Sequence, residues 1–164
     1  MTRAAALIGI EQSLLGHPYQ LGAKWAGTAW PAPRSPIDCS GIQSFAERKL
    51  FEIYPTVQVQ TAAGPLPVHE MLARFEGSWR QGAFCRPVAK ALALGPTGAG
   101  LFLFLRPKET RHGHVALCCG WGKTIEARGG HGVVIVGAAE NAKRLTQAGW
   151  WVGKADWLHV EVDS

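Results

Sequence analysis

A cysteine in the run Pro36-Ile37-Asp38-Cys39-Ser40-Gly41-Ile42 stands where a helix should begin, the position at which a thiol is easiest to ionise. Asp38 is a good N-cap, and Ile42, Phe45, Ala46, Lys49 and Leu50 recur at helical spacing. This predicts a helix with Cys39 in its first turn and an end near Phe51. Free backbone N–H groups and the helix dipole favour negative charge at that point. With an imidazole nearby, such a thiol falls from a pKa of about 8.5 to roughly 3.5 to 7.5 and becomes a nucleophile at neutral pH. An isolated Asp-Cys-Ser-Gly is more often a small buried cysteine under a helix start. The assignment therefore depends on a partner elsewhere in the chain.

Six histidines, at 17, 69, 112, 114, 131 and 159, compete for that role. His114 opens the apolar run Val115-Ala116-Leu117-Cys118-Cys119, with His114, Ala116 and Cys118 on one strand face and Val115, Leu117 and Cys119 on the other. From a small-residue face next to a helix N-terminus, its imidazole can hold Cys39 as a thiolate-imidazolium pair and later protonate a leaving amine. His112 has the same parity but lies in the polar Lys108-Glu109-Thr110-Arg111 loop and reads as exposed. After a tight Gly120-Trp121-Gly122 hairpin, the next strand puts Thr124, Glu126 and Arg128 on one face and Ile125 and Ala127 on the other. A three-residue loop sets Arg128 opposite His114 and Glu126 diagonal to it, and a register shifted by two sets Glu126 directly opposite. In either register Glu126 can accept the second ring N–H of His114 and fix its orientation. Its competing role is a solvated carboxylate paired with lysine or arginine.

The elements that must position these groups follow from periodicity and breakers. Thr2 to Leu15 fits an amphipathic helix ended by Gly16 and the His17-Pro18 step, and His17 to Gly22 reads as turn or extended chain. Ala26 to Pro36, with Gly, Thr, Trp and three prolines, is a loop that delivers the chain to Cys39. Val57 to Gln60 alternates briefly, Pro67 to Phe75 predicts a short helix, and Gly95 to Gly100 is a turn. Leu101 to Leu105, Gly113 to Gly120, Lys123 to Arg128 and Gly132 to Gly137 then read as successive short strands of an antiparallel meander. Ala138 to Ala148 predicts a helix, and Trp157 to Val162 a closing strand. Helices first and sheet second make the chain α+β. Its 164 residues, 47% hydrophobic, suit one domain spanning 1–164.

Composition excludes several classes. No stretch is long enough to span a membrane, and the apolar opening Ala4 to Ile10, cut by Glu11 and lacking a small-residue cleavage site, reads as a helix and not a signal peptide. The cysteines at 39, 85, 118 and 119 form no Cys-x-x-Cys pair and no disulfide ladder. Cys118 and Cys119 point to opposite faces and have separate packing roles. His112-x-His114 with a cysteine is a weak metal spacing without a carboxylate cluster, so neither metal nor cofactor is expected. A net charge of +5 favours anionic matter, but the basic residues are scattered without interleaved aromatics, so a nucleic-acid partner is not expected and an anionic cell-wall polymer fits equally well. Trp25 and Trp30 flank the approach to Cys39, where they could line a groove.

The order of Tyr19, Asp38-Cys39-Ser40-Gly41 opening a helix, Leu101-Phe102-Leu103-Phe104, Gly113-His114-Val115-Ala116 and Gly122 to Ala127 resembles the NlpC-type papain-like cysteine peptidases of bacterial cell-wall turnover. The likeness covers about Leu7 to Val136. It implies a papain-like α+β fold with the nucleophile helix packed on an antiparallel sheet, Cys39 as nucleophile, His114 as base and Tyr19 as the tyrosine near the oxyanion site. The third polar position, commonly histidine in the family, is Glu126 here, while His131 has the residue type but lies in the turn beyond the strand. Ala26 to Pro36 is longer than usual, and Ala99-Gly100 stands where the family has Gly-Asp. The implied activity is hydrolysis of an amide in a peptidoglycan peptide, of the γ-D-glutamyl-diaminopimelate type. The alternatives are an amidase or acyltransferase using the same Cys-His site, and a non-catalytic phage tail component. Without a visible signal peptide, the expectation is cytoplasmic synthesis and action at the cell wall after export by a phage tail, lysis device or secretion machinery, as in a prophage enzyme or an injected toxin.

Overall fold

Two helices supply the first half of the interior. The computed structural model describes residues 3–53, 60–61, 64–65, 86–88, 95–96, 98–100, 102–105, 112–137, 140 and 147–150. Helix α1 is Arg3–Gln12 and α2 is Cys39–Ile53. Ala6, Leu7 and Ile10 on α1, with Leu14 just past its end, meet Ile42, Phe45, Ala46 and Leu50 on α2, all at most 6% exposed. Each of the larger side chains contributes about 1.5–3 kcal/mol by leaving water. Gln43 Nε2 also donates to Glu11 Oε2 at 3.3 Å inside this interface. Burial pushes the Glu11 carboxyl well above its ordinary range, opposed by the Gln43 hydrogen bond and reinforced by the charge of Glu47.

Among the described residues there are two sheets. β1 (Gln60–Thr61) pairs only with β2 (Gly64–Pro65). The larger sheet contains β3 (Arg86–Val88), β4 (Phe102–Leu105), β5 (His114–Gly120), β6 (Lys123–Arg128), β7 (Gly132–Gly137) and β8 (Gln147–Trp150), in the order β3-β8-β4-β5-β6-β7 with every pair antiparallel. β4 to β7 form the expected meander, and the last two strands have the expected bounds. Val115, Leu117, Ile125, Ala127 and Val133 face the helices. Leu103, Ala116, Cys118, Thr124, Glu126 and Val136 are buried outside that helical core, so both sheet faces are covered. The helices therefore do not pack on the small-residue face of β5, and His114 meets the α2 N-terminus from the first position of its strand.

The C-terminal region departs from expectation. Of the helix predicted for 138–148, Glu140 is helical, but Gln147 and Ala148 belong to β8, which lies against β4 through Phe102↔Gly149, Leu103↔Ala148 and Phe104↔Gln147. Ladder hydrogen bonds on the open edge of β4 outweigh the local helical pattern there. The helix expected over Pro67 to Phe75, the closing strand over Trp157 to Val162, and Val57 to Val59 lie outside the described residues. No helix among the described residues is long and apolar enough to cross a membrane.

The segment after α1 joins the sheet to the approach to Cys39. Val133 N–H donates to His17 O at 2.8 Å and Gly16 N–H to Val133 O at 3.0 Å. Gly132, at φ +76°, permits this crossing, since a Cβ there would lie 2.4 Å from His17 O. Tyr19 then forms a parallel bridge with Ile37, with Ile37 N–H donating to Pro18 O (3.0 Å) and Gln20 N–H to Ile37 O (3.2 Å).

Candidate active site

Cys39 is the first residue of α2 and is 6% exposed. Asp38 caps the helix: its Oδ1 accepts the Gly41 N–H at 2.7 Å, while its C=O accepts the Ile42 N–H at 3.1 Å. Its Oδ2 accepts the Gly22 N–H at 3.1 Å, and its own N–H donates to Ala23 O at 3.1 Å. Lys24 completes the set by donating its ammonium to both Asp38 Oδ1 and Ser40 Oγ. Gly41 is required by crowding, because a Cβ there would stand 2.8 Å from Ile37 Cδ1 and 2.9 Å from both Ala23 O and Asp38 Oδ1. Asp-Cys-Ser-Gly thus fixes the thiol by a saturated cap and a close backbone approach.

The His114 ring stands beside Cys39, and its Nε2 hydrogen-bonds Glu126 Oε2. The β5–β6 register Leu117↔Ile125 and Cys118↔Thr124, continued toward the strand start, sets Arg128 across from His114 and leaves Glu126 diagonal, the first of the two registers considered. A bulge between Cys118 and Gly120 absorbs the hairpin. Glu126 is fully buried, and the His114 side chain is 16% exposed. Burial lowers the imidazolium's pKa, but hydrogen bonds to Cys39 and Glu126, together with their charges, outweigh it and raise it from 6.5 to about 9. His131 is exposed in the β6–β7 turn, where its Nδ1 meets Gly129 O at 3.1 Å, and His112 is exposed as expected.

Tyr19 sits beside this line. Burial, then the charges of Cys39 and Asp38, raise its phenol above the ordinary value, so it keeps its proton and can donate. A cleft of about 340 Å³ runs from Tyr19 along Gly16, Pro18 and the Gly130-His131-Gly132 turn.

The tryptophans serve differently from the expectation. Trp25 meets Phe45 edge-on at 5.2 Å and His17 at 5.0 Å, and Trp30 packs on Phe45 at 5.9 Å with the Lys49 ammonium 4.8 Å from its ring centre. The loop they belong to is strapped along α2 by Arg48 to Gly27 O (2.8 Å) and Trp25 O, Lys49 to Thr28 O (3.0 Å) and Thr28 Oγ1 to Glu52 (2.8 Å). A cleft of about 260 Å³ touches Trp30, but its walls are Ser13, Leu14, His17 and Pro31, with no part of Cys39 or His114.

Cys118 and Cys119 take separate packing roles. Burial, and then Cys119's charge, pushes the Cys118 thiol up to about 12; burial, and then the charge of Glu11, pushes Cys119 up to about 12. Among the described residues no group of three histidines, cysteines or carboxylates is placed to hold a metal ion. Lys24 was not foreseen: a lysine in a loop, fourteen residues before Asp38, has no local signal, and only the chain crossing at Tyr19 and Ile37 brings it to the helix.

No protein-family model matches the chain, and no curated protein matches it by sequence. Solved structures do. The NlpC/p60 domain of the peptidoglycan hydrolase SagA superposes with a TM-score of 0.51 at 20% identity, over 90% of this chain and 97% of that domain. The P60 domain of the M. avium subspecies paratuberculosis antigen MAP1204 follows at 0.49 and 18% identity, over 92% of this chain and 95% of that one. The fold is papain-like α+β. It is the fold of the SagA NlpC/p60 domain.

Proposed function

We propose that this chain is a cysteine hydrolase that cleaves an amide bond in bacterial peptidoglycan peptides, of the γ-D-glutamyl-diaminopimelate endopeptidase type. The observation that carries the reading is His114, hydrogen-bonded through Nε2 to the buried Glu126 and standing beside Cys39 at the start of α2, where these two neighbours raise its pKa to about 9. A thiolate beside an imidazolium fixed by a buried carboxylate is the resting state of a nucleophile-base-orienter set. The choice of peptidoglycan is supported by the likeness of fold to a peptidoglycan hydrolase domain and by the chain's net charge of +5.

In this reading the Cys39 sulfur attacks the scissile carbonyl carbon. The oxyanion is met by the Cys39 backbone N–H, which a first-turn residue leaves without an intrahelical acceptor, and by the Tyr19 hydroxyl. With Nε2 committed to Glu126, Nδ1 is the ring nitrogen available to Cys39 and to the leaving amine. Collapse of the tetrahedral intermediate breaks the C–N bond, His114 gives its proton to the amine, and a thioester remains on Cys39. The neutral imidazole then takes a proton from water, whose hydroxide releases the acid and restores the ion pair. Mass spectrometry of peptidoglycan after incubation with wild type and Cys39→Ala tests this: new termini at one amide, absent with the variant, are expected. Intact peptidoglycan with both proteins would refute it, and an adduct with added amine in place of the acid would reassign the enzyme to acyl transfer.

A further inference from the structure

The cleft of about 260 Å³ at Trp30 takes no part in the hydrolytic steps. No aspartate, glutamate, lysine or arginine is among its described walls. Trp30 is 50% exposed yet held in place, with its ring tilted on Phe45 at 5.9 Å and the Lys49 ammonium 4.8 Å from its centre. An aromatic so fixed offers a preformed apolar face and loses little freedom when a ligand covers it. The polar groups of the cleft present acceptors. His17 Nδ1 lies 2.9 Å from Ser35 O, and since a carbonyl only accepts, Nδ1 carries the proton and leaves Nε2 of the neutral ring as an acceptor. Ser13 Oγ donates its proton to Ile10 O at 2.6 Å and keeps its lone pairs. An apolar ring face, two acceptors and no charged wall suit an uncharged ring that bears hydroxyl and amide donors. The volume holds one such ring, being below the roughly 300–1,000 Å³ of pockets that enclose a drug-sized ligand. This cleft also adjoins the one at Tyr19: Ser13, Leu14 and His17 line the first and Gly16, Pro18 and Tyr19 the second, so one stretch of chain walls both. His17 and Tyr19 are two residues apart on backbone held extended by its bonds to Val133 and Ile37, a span of about 7 Å.

We propose that the Trp30 cleft is a sugar subsite, which takes one N-acetylated pyranose of the glycan strand while the stem peptide joined to that sugar lies in the Tyr19 cleft. This rests on the hydrolase reading and deepens it, since it makes the preferred substrate a peptide still attached to its sugar and not a free peptide. The C–H face of the pyranose stacks on Trp30 and Pro31, and its hydroxyl and amide N–H groups donate to His17 Nε2 and Ser13 Oγ. The apolar surface of one indole face, taken out of water, is worth about tenfold in affinity.

Two readouts test it with wild type, Trp30→Ala, Trp30→Phe and Ser13→Gln, each checked for folding by circular dichroism. Ser13 is exposed, so Ser13→Gln crowds the cleft while leaving the packing of Trp30 on Phe45 in place. The first readout is kcat/KM for one stem peptide carried on its disaccharide and for the same peptide free. The ratio should favour the disaccharide form by about tenfold in wild type, chiefly through KM, fall toward one in Trp30→Ala and Ser13→Gln, and be largely kept in Trp30→Phe. The second needs no turnover: an N-acetylglucosamine trimer without peptide should shift the indole N–H resonance of Trp30, identified by its loss in Trp30→Phe, and should leave it unmoved in Ser13→Gln. If peptides are cut, the ratio is the same in all four proteins and the trimer shifts nothing, the cleft is a packing gap and the proposal is overturned while the hydrolase stands. If the free peptide shifts the Trp30 resonance and the trimer does not, the cleft holds peptide and the sugar assignment is overturned. If neither peptide is cut yet the trimer shifts Trp30 in wild type and not in Ser13→Gln, the hydrolase reading fails and the sugar subsite stands.

Discussion

Glutamine at position 126 keeps an acceptor oxygen for His114 while removing the charge, which isolates what the carboxylate contributes. Raising the imidazolium's pKa from 6.5 to about 9 against the cost of burial corresponds to about 3 kcal/mol in favour of the charged ring. Cys39 and Glu126 share that effect, and a hydrogen bond to a charged acceptor is roughly twice as strong as one to a neutral acceptor. In Glu126→Gln the alkaline limb of kcat/KM, which reports loss of the imidazolium proton, should therefore move down from about 9 by one to two pH units. Because the folded-state pKa of His114 is raised, its stabilisation is complete below the unfolded value of 6.5 and disappears as pH rises through about 9. The difference in unfolding free energy between wild type and Glu126→Gln should thus be largest near pH 6 and shrink by pH 10. The measurements are pH-rate profiles on one soluble cell-wall peptide, with urea unfolding at three pH values. His131→Ala serves as the comparison, since that ring bonds Gly129 O in its own turn and should leave the profile in place. An unmoved alkaline limb in Glu126→Gln, or a shifted one in His131→Ala, would refute the reasoning.

Limiting iodoacetamide at pH 6 should label Cys39 before Cys118 and Cys119, whose buried thiols stay protonated to about pH 12; peptide mapping that finds either of the pair labelled first would remove Cys39 as the thiolate. Gly41→Ala should cost about 1–3 kcal/mol in urea unfolding and slow Cys39 alkylation, because the new methyl group has backbone and the capping carboxylate within 2.9 Å; wild-type stability would show that Ile37 and Asp38 can yield. Tyr19→Phe should lower kcat by about 100-fold to 1000-fold with little change in KM, as the hydroxyl's bond strengthens only when negative charge develops. Equal turnover would reduce Tyr19 to packing against the Gly129 turn.

What could be read from the residues was what local rules govern. The α2 start follows from a capping aspartate and a 3.6-residue repeat, and the meander from alternation and glycine turns. Glu126 could be placed near His114 by counting across a three-residue hairpin, since a fixed register makes diagonal neighbours predictable. β8 could not be read that way, because Gln147 and Ala148 carry no strand signal of their own and are extended by pairing with β4. The burial of both sheet faces was equally hidden: Ala116 and Cys118 read as a small-residue face suited to a helix, yet the helices occupy the other side. Trp25 and Trp30 read as groove lining because they precede Cys39 in the chain, whereas Arg48, Lys49 and Glu52 tie their loop to the flank of α2.

Asp38 illustrates how a motif can carry chemistry without taking part in it. An aspartate next to a candidate nucleophile invites an acid-base role, but its oxygens accept from two backbone N–H groups, the Ser40 hydroxyl and an ammonium, the contacts of a helix cap and anchor. Its effect is exerted through position. By joining Gly22, Lys24 and Gly41 it fixes the loop that carries Tyr19 and the helix that carries Cys39 to each other, and the Tyr19↔Ile37 bridge closes the same ring of contacts. The sheet then brings His114 to that junction from the far side, already oriented by Glu126. A thiol that is 6% exposed is chemically useful only if the groups around it are held this tightly, because a misplacement of about 1 Å costs on the order of 100-fold in rate.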